Sequence, residues 1–183
     1  MKNKSDKIKK FEELFESFDG EAMYHTGAVT GNFARLQDYN NQNPAIEMEE
    51  ESSIEFSQLK SILLEEGGDK VSETFEEDLE DLIKNGDFYD PSDYDYKVVP
   101  MRTSQCHSNS ASFYKNFISD SNNTEEEIDI VTGWALKDGI WMQHSWIFLT
   151  FDEIIIETTE PRDLYYGFIL SYEDVEEFLY NNI

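Results

Sequence analysis

Three kinds of side chain that could do chemistry together fall within one stretch of this chain, Val98 to Thr159. The only cysteine lies in Ser104-Gln105-Cys106-His107-Ser108-Asn109-Ser110, followed by Thr132-Gly133-Trp134, then Gln143-His144-Ser145-Trp146, then Ile156-Glu157-Thr158-Thr159. A cysteine attacks as the thiolate, so it needs a base to take its proton and a third group to orient that base; Cys106, His144 and Glu157 make a chemically complete set. His107 is the rival base because it adjoins the thiol. Successive helical side chains diverge by about a hundred degrees, however, so His107 is expected to flank the site or cap the helix end. Cys106, His107, His144 and Glu157 are also all possible zinc ligands. The adjacent Cys106-His107 pair is poorly arranged to share one tetrahedral ion and no second paired ligand motif exists, so neither a metal nor another cofactor is expected. His25 stands apart and reads as a surface or core histidine.

The elements that must position these residues can be read from period and turn chemistry. Ser104 is the expected N-cap of a helix over Cys106 to Ser119, with Ala111, Phe113, Tyr114, Phe117 and Ile118 on its buried side. That puts Cys106 in the first turn, where free N–H groups and the positive dipole end favour thiolate over thiol. Strands are expected at Ile128 to Leu136 and Ile140 to Leu149 about an Asp138-Gly139 hairpin turn, then at Glu153 to Thr159 and Tyr165 to Leu170. Counting back from the first hairpin places His144 opposite Gly133, where the missing side chain leaves the sheet face open to a helix end. If the second hairpin turns through Thr150-Phe151, His144 falls opposite Glu157. A shift of two keeps both on one face as diagonal neighbours, and a shift of one separates them. Ser171-x-x-Asp174 reads as a capping box for a last helix with Tyr172, Val175, Phe178 and Leu179 inward.

Upstream, Phe11, Leu14, Phe15 and Phe18 share a helix face, residues 38–52 read as a surface loop, and two helices are expected from Ser53 to Gly67-Gly68 and from Val71 to Asn85-Gly86. Residues 87–97 form an acidic, aromatic connector of no regular period. The expected organisation is therefore an acidic, mainly helical region over 1–97, with 1–10 flexible, followed by an α+β unit over 98–183 in which a helix packs on an antiparallel sheet.

The chain has 183 residues and a net charge of −26, spread as +4 over residues 1–10, −19 over 11–97 and −11 over 98–183. Such a field repels phosphates and anionic membranes and attracts cationic partners, which argues against direct nucleic-acid or membrane binding and for a protein or peptide partner, a basic one in particular. One cysteine forms no internal disulfide. The N-terminal lysines run into Phe11-Glu12-Glu13 and not into an apolar segment, and no apolar run approaches the roughly 18 to 20 residues that span a bilayer, so a cytoplasmic address is expected.

The succession of a cysteine at a helix start, a strand entering Gly133, His144-Ser145-Trp146 and, after a hairpin, Glu157-Thr158-Thr159 resembles the transglutaminase-like branch of the papain-like cysteine enzymes. The resemblance covers roughly 98–160, with glutamate where aspartate is usual and a shorter block around the cysteine. It implies a helix-on-sheet core of that type, with Cys106 as nucleophile, His144 as general base and acid, and Glu157 as the residue orienting His144. The activity it implies is transfer or hydrolysis of an acyl group from an amide, peptide or isopeptide bond through a thioester. The backbone N–H of Cys106 and the side chain of Gln105 are candidate oxyanion donors, and Trp134 and Trp141 are candidates to line a substrate cleft, while Trp146 reads as readily as core. The other function the charge suggests is a non-enzymatic acidic interaction protein, a nucleic-acid mimic or an inhibitor of a basic partner.

Overall fold

The computed structural model describes residues 54–72, 79–120 and 123–183. The helix expected after Lys9, the loop at 38–52, His25 and the flexible 1–10 lie outside these residues. In chain order the elements are α1 (Ile54–Glu66), β1 (Lys70–Val71), α2 (Leu79–Asn85), β2 (Asp87–Tyr89), β3 (Asp95–Val98), α3 (Cys106–Ser119), β4 (Asp129–Lys137), β5 (Ile140–Leu149), β6 (Ile154–Glu157), β7 (Leu164–Ile169) and α4 (Tyr172–Asn182). The fold is α+β. Six strands lie in the order β2-β7-β4-β5-β6-β3, and β1 pairs with β5 outside that path.

The central hairpin forms as its turn chemistry predicts. Asp138 and Gly139 both take left-handed backbone, with φ of 51° and 77°, the requirement of a type I′ turn. Lys137 pairs with Ile140 and Gly133 with His144. The second hairpin opens wider than a two-residue turn, because Leu149 pairs with Ile154 and Ile147 with Ile156. This is the shift of two: His144 and Glu157 share a sheet face as diagonal neighbours and are not directly opposite.

Several expectations need correction. The sheet is mixed and not purely antiparallel, since β1–β5 and β3–β6 run parallel. Val71 belongs to a strand and not to a helix. The supposed connector at 87–97 supplies β2, paired with β7, and most of β3, paired with β6. The division expected after residue 97 consequently falls inside β3. These strands are two to four residues long, too short for alternation to register in a sequence window; their pairing comes from the longer strands beside them. In α4 the Ser171–Asp174 capping box is present, but only Val175 is buried and Tyr172 is exposed.

Both faces of the sheet are covered. On one, Trp134, Trp141 and Tyr166 pack with Phe56, Leu59 and Leu63 of α1 and Leu82 of α2. On the other, Val131, Ala135, Trp146, Phe148, Ile155 and Tyr165 pack with Tyr89, Tyr94 and Tyr96. Gly133 is required for a reason other than the open face expected of it. A Cβ there would come within 2.1 Å of the Tyr166 carbonyl oxygen and 2.6 Å of Gly167 Cα, so its bareness lets β7 approach β4.

The edge of β5 away from β4 decides where the site forms. It pairs with β1 at Ile140 and Trp141 and with β6 from Ile147 onward, which leaves 142–146 without a strand partner among the described pairings. Helix α3 packs at this gap, and Ser110 Oγ donates to the Ser145 carbonyl at 3.1 Å, a side-chain substitute for a strand bond.

Candidate active site

Cys106 is the first residue of α3, one position after the N-cap, which is Gln105 and not Ser104. Ser104 instead takes left-handed backbone at φ 58°, a conformation that non-glycine residues adopt at a cost of about 1–3 kcal/mol and that recurs at functional sites. The helix start is tied down by Asn109, 2 % exposed, whose amide donates to the carbonyls of Arg102 at 2.7 Å and Thr158 at 3.3 Å and whose oxygen accepts from Arg102 N–H at 3.3 Å. One buried side chain thus locks the loop before Cys106 to the segment after β6.

His144 and Glu157 meet as the register requires. His144 Nε2 lies 2.8 Å from Glu157 Oε2, and both side chains are buried. Tyr165 donates its hydroxyl to the same carboxylate oxygen at 2.8 Å, while Oε1 accepts from Thr159 N–H at 2.6 Å and Thr159 Oγ1 at 2.7 Å. A carboxylate with no exposed surface is tolerable only when so fully bonded. The chain of donors continues outward. Tyr165 has spent its proton on Glu157, so Tyr96 must donate to Tyr165 across 3.0 Å, and Arg162 N–H donates to Tyr96 at 3.1 Å. Arg162 Nη2 also reaches Thr159 Oγ1 at 3.4 Å. Every proton in this network points toward Glu157, which leaves the carboxylate only as an acceptor. His144 therefore carries a proton on Nε2, and Nδ1 is the nitrogen left for Cys106.

The electrostatics follow from that arrangement. Burial disfavours the Cys106 thiolate, yet hydrogen bonds with His107 and His144 outweigh it and bring the thiol down to about 5. Burial likewise works against the His144 imidazolium, but the bonds with Cys106 and Glu157 prevail and hold it up at about 9. Burial would raise Glu157 too; the bond with His144, its charge and the two Thr159 donors carry it down to about 2. Burial, and then the charge of Glu157, pushes the Tyr165 phenol far above its ordinary range, so it stays a donor. These shifts favour, at neutral pH, a thiolate beside an imidazolium beside a carboxylate, the charge state in which a cysteine is able to attack.

Of the residues expected to act, Cys106, His144 and Glu157 are brought together. Gln105 is exposed beside the thiol, and its side chain makes no capping bond. Trp134 and Trp141 do not line a cleft. Both have no exposed surface, and they pack under α1 and α2, with Trp141 Nε1 donating to the Gly67 carbonyl at 2.8 Å; their alternation on β4 and β5 puts them on the face opposite His144. Trp146 is core as well, stacked against the His144 ring at 6.4 Å between centroids. Sequence reasoning missed Tyr96 and Tyr165 entirely. Only the pairing of β3 and β7 with their neighbours brings these hydroxyls to Glu157, and nothing local marks them. Among the described residues no group of three or more His, Cys, Asp or Glu side chains is arranged to hold a metal ion, and no helix is long and apolar enough to cross a membrane. Comparison with protein-family models, with curated proteins and with solved structures gives no match.

Proposed function

We propose that this chain is a cysteine-nucleophile acyl transferase or hydrolase of the transglutaminase-like and papain-like kind, acting on an amide, peptide or isopeptide bond through a thioester on Cys106. The observation that carries the reading is the ordered line from Cys106 through His144 to a carboxylate whose other lone pairs are all engaged, with Nε2 to Oε2 at 2.8 Å. In the reaction, the thiolate adds to the acyl carbon, and the negative charge developing on oxygen is met by the Cys106 N–H at the helix start and the exposed Gln105 amide. His144 then gives its proton to the departing amine, and in the second half takes one from water or an acceptor amine as the thioester is cleaved. The net charge of −26 favours a basic protein or peptide as substrate. The same charge is what favours the second reading, an acidic interaction protein that uses this fold as scaffold.

Incubation with peptides from a cell extract, followed by intact-mass spectrometry, separates the two. The enzyme reading expects a hydroxylamine-sensitive acyl adduct on Cys106 that is absent from Cys106→Ala, and incorporation of a labelled amine would mark transfer over hydrolysis. A thiol that forms no adduct and is alkylated only above about pH 8, like an unperturbed cysteine, would remove the enzyme reading.

A further inference from the structure

The residue that follows each of Cys106, His144 and Glu157 in the chain ties its element to a neighbouring one. His107, after Cys106, has Nδ1 2.7 Å from the Oγ of Ser145, which follows His144. Thr158, after Glu157, accepts at its carbonyl from the Asn109 amide of α3 at 3.3 Å. Ser145 is wholly buried and holds α3 twice. Its carbonyl accepts from Ser110 Oγ at 3.1 Å, and its own Oγ, having donated to Thr132 Oγ1 at 3.1 Å, has only lone pairs left and accepts from His107 Nδ1–H. His107 and Ser110 are three residues apart, so both bonds come from one face at the start of α3. Phe178 of α4 packs against the His107 ring at 6.0 Å between centroids. His144 and Ser145 are neighbours on β5 whose side chains leave opposite faces. Helix α3 meets that strand along its edge, so the start of the helix grips Ser145 with one residue and carries Cys106 immediately beside the grip.

Building on the cysteine-nucleophile reading, we infer that Ser145 is a positioning residue: by holding His107 and Ser110 it docks the start of α3 on the edge of β5 and so sets how far the Cys106 sulfur stands from the His144 ring. The path from one group to the other runs through the Cys106–His107 backbone, one 2.7 Å hydrogen bond and the Ser145–His144 backbone. No loop intervenes to absorb a displacement. The Asn109–Thr158 bond makes a tie of the same kind on the side of Glu157, so loss of the Ser145 grip frees the helix start from β5 while its other anchor holds. A reacting group displaced by about 1 Å can lose on the order of a hundredfold in rate. The Ser145 hydroxyl touches none of the reacting atoms, and its effect runs through the placement of Cys106.

The test uses the full chain and two probes, p-nitrophenyl acetate for acylation of Cys106 and iodoacetamide for alkylation against pH, with melting temperatures alongside. Ser145→Ala and His107→Leu should each slow acylation by about tenfold or more and move the alkylation midpoint toward the ordinary thiol value of about 8.5, because the sulfur then stands away from its base. The double variant should be no slower than the worse single variant, since both changes break one bond. Full additivity would mean that the two side chains act apart, and overturns the tie. His107→Asn, whose amide puts a donor near the place of Nδ1, should recover most of the loss. Wild-type acylation and midpoint in Ser145→Ala and His107→Leu overturn the inference, and so does a lowered melting temperature with both unchanged, since a purely structural bond would behave that way. His144→Ala keeps the two readings apart: if it abolishes acylation and Ser145→Ala does not, the cysteine reading stands and the inference falls. A wild-type thiol with a midpoint near 8.5 and no acylation overturns both. In the wild type labelled with ¹⁵N-histidine, the His107 Nδ1–H should give a proton resonance protected from solvent exchange, and a freely exchanging one would exclude the bond.

Discussion

In the proposed reaction the proton that leaves Cys106 arrives on a ring whose far nitrogen already faces a carboxylate, and this sets the response to pH expected of the site. With the thiol near 5 and the imidazolium near 9, kcat/KM should follow a bell with limbs close to those values, each limb belonging to the coupled pair and not to one residue. Rate measurements across pH 4–10 check this; an acid limb above pH 8 would mean an unactivated thiol. Stability carries its own signature. Glu157 is depressed from 4.5 to about 2, so its contribution is fully present above pH 4.5 and disappears as pH falls toward 2. His144 is raised from 6.5 to about 9, so its contribution is complete below pH 6.5 and is lost as pH rises toward 9. Glu157→Gln removes the carboxylate and leaves the Thr159 donors an oxygen to bond. It should lower turnover on the order of a hundredfold or more while the chain stays folded at neutral pH, and its melting temperature should converge on that of wild type between pH 4.5 and 2. Undiminished turnover in this variant would take Glu157 out of the mechanism.

Between elements, the site exists because β5 changes partners halfway along. Where β1 has ended and β6 has not yet paired, α3 enters and presents its first residue to the strand. Much of this was legible in the sequence. The Asp138-Gly139 turn fixes its hairpin outright, whereas the second hairpin left two parities open in the sequence, and the pairing of Leu149 with Ile154 is what puts His144 and Glu157 on one face. What the sequence could not carry was the short edge strands, whose pairing depends on neighbours distant in the chain, and with them the Tyr96–Tyr165 relay that spans β3 and β7 to reach Glu157 on β6. Tyr165→Phe deprives a buried carboxylate of one donor and Tyr96 of its acceptor. It should cost about 1–3 kcal/mol in urea denaturation and lower kcat/KM, with the same melting cooperativity; a neutral result would make the relay ornamental. Gly133→Ala acts on β4 and β7 together. A methyl 2.1 Å from the Tyr166 carbonyl meets backbone that cannot rotate aside, so the variant should fail to fold or lose more than about 3 kcal/mol. Circular dichroism and thermal melts decide this.

For the whole molecule, the question is whether residues before 98 are a separate acidic attachment or part of the machine. Their charge is consistent with choosing a partner, but the chain from 54 to 97 also does structural work that charge does not reveal. Helices α1 and α2 cover Trp134, Trp141 and Tyr166, β2 protects the edge of β7, and β3 brings the Tyr96 hydroxyl to the network behind Glu157. Removing them exposes three large aromatic side chains on one sheet face, each of which buries roughly 150–250 Å² when covered, and leaves two unpaired strand edges open to association. A fragment of residues 98–183 should therefore lack a cooperative melt, tend to aggregate, and leave Cys106 alkylating as an ordinary thiol with a midpoint near 8.5. Should the fragment instead melt cooperatively and keep the activated thiol, the covering helices and edge strands would be dispensable, and the acidic segment would be left to partner choice alone.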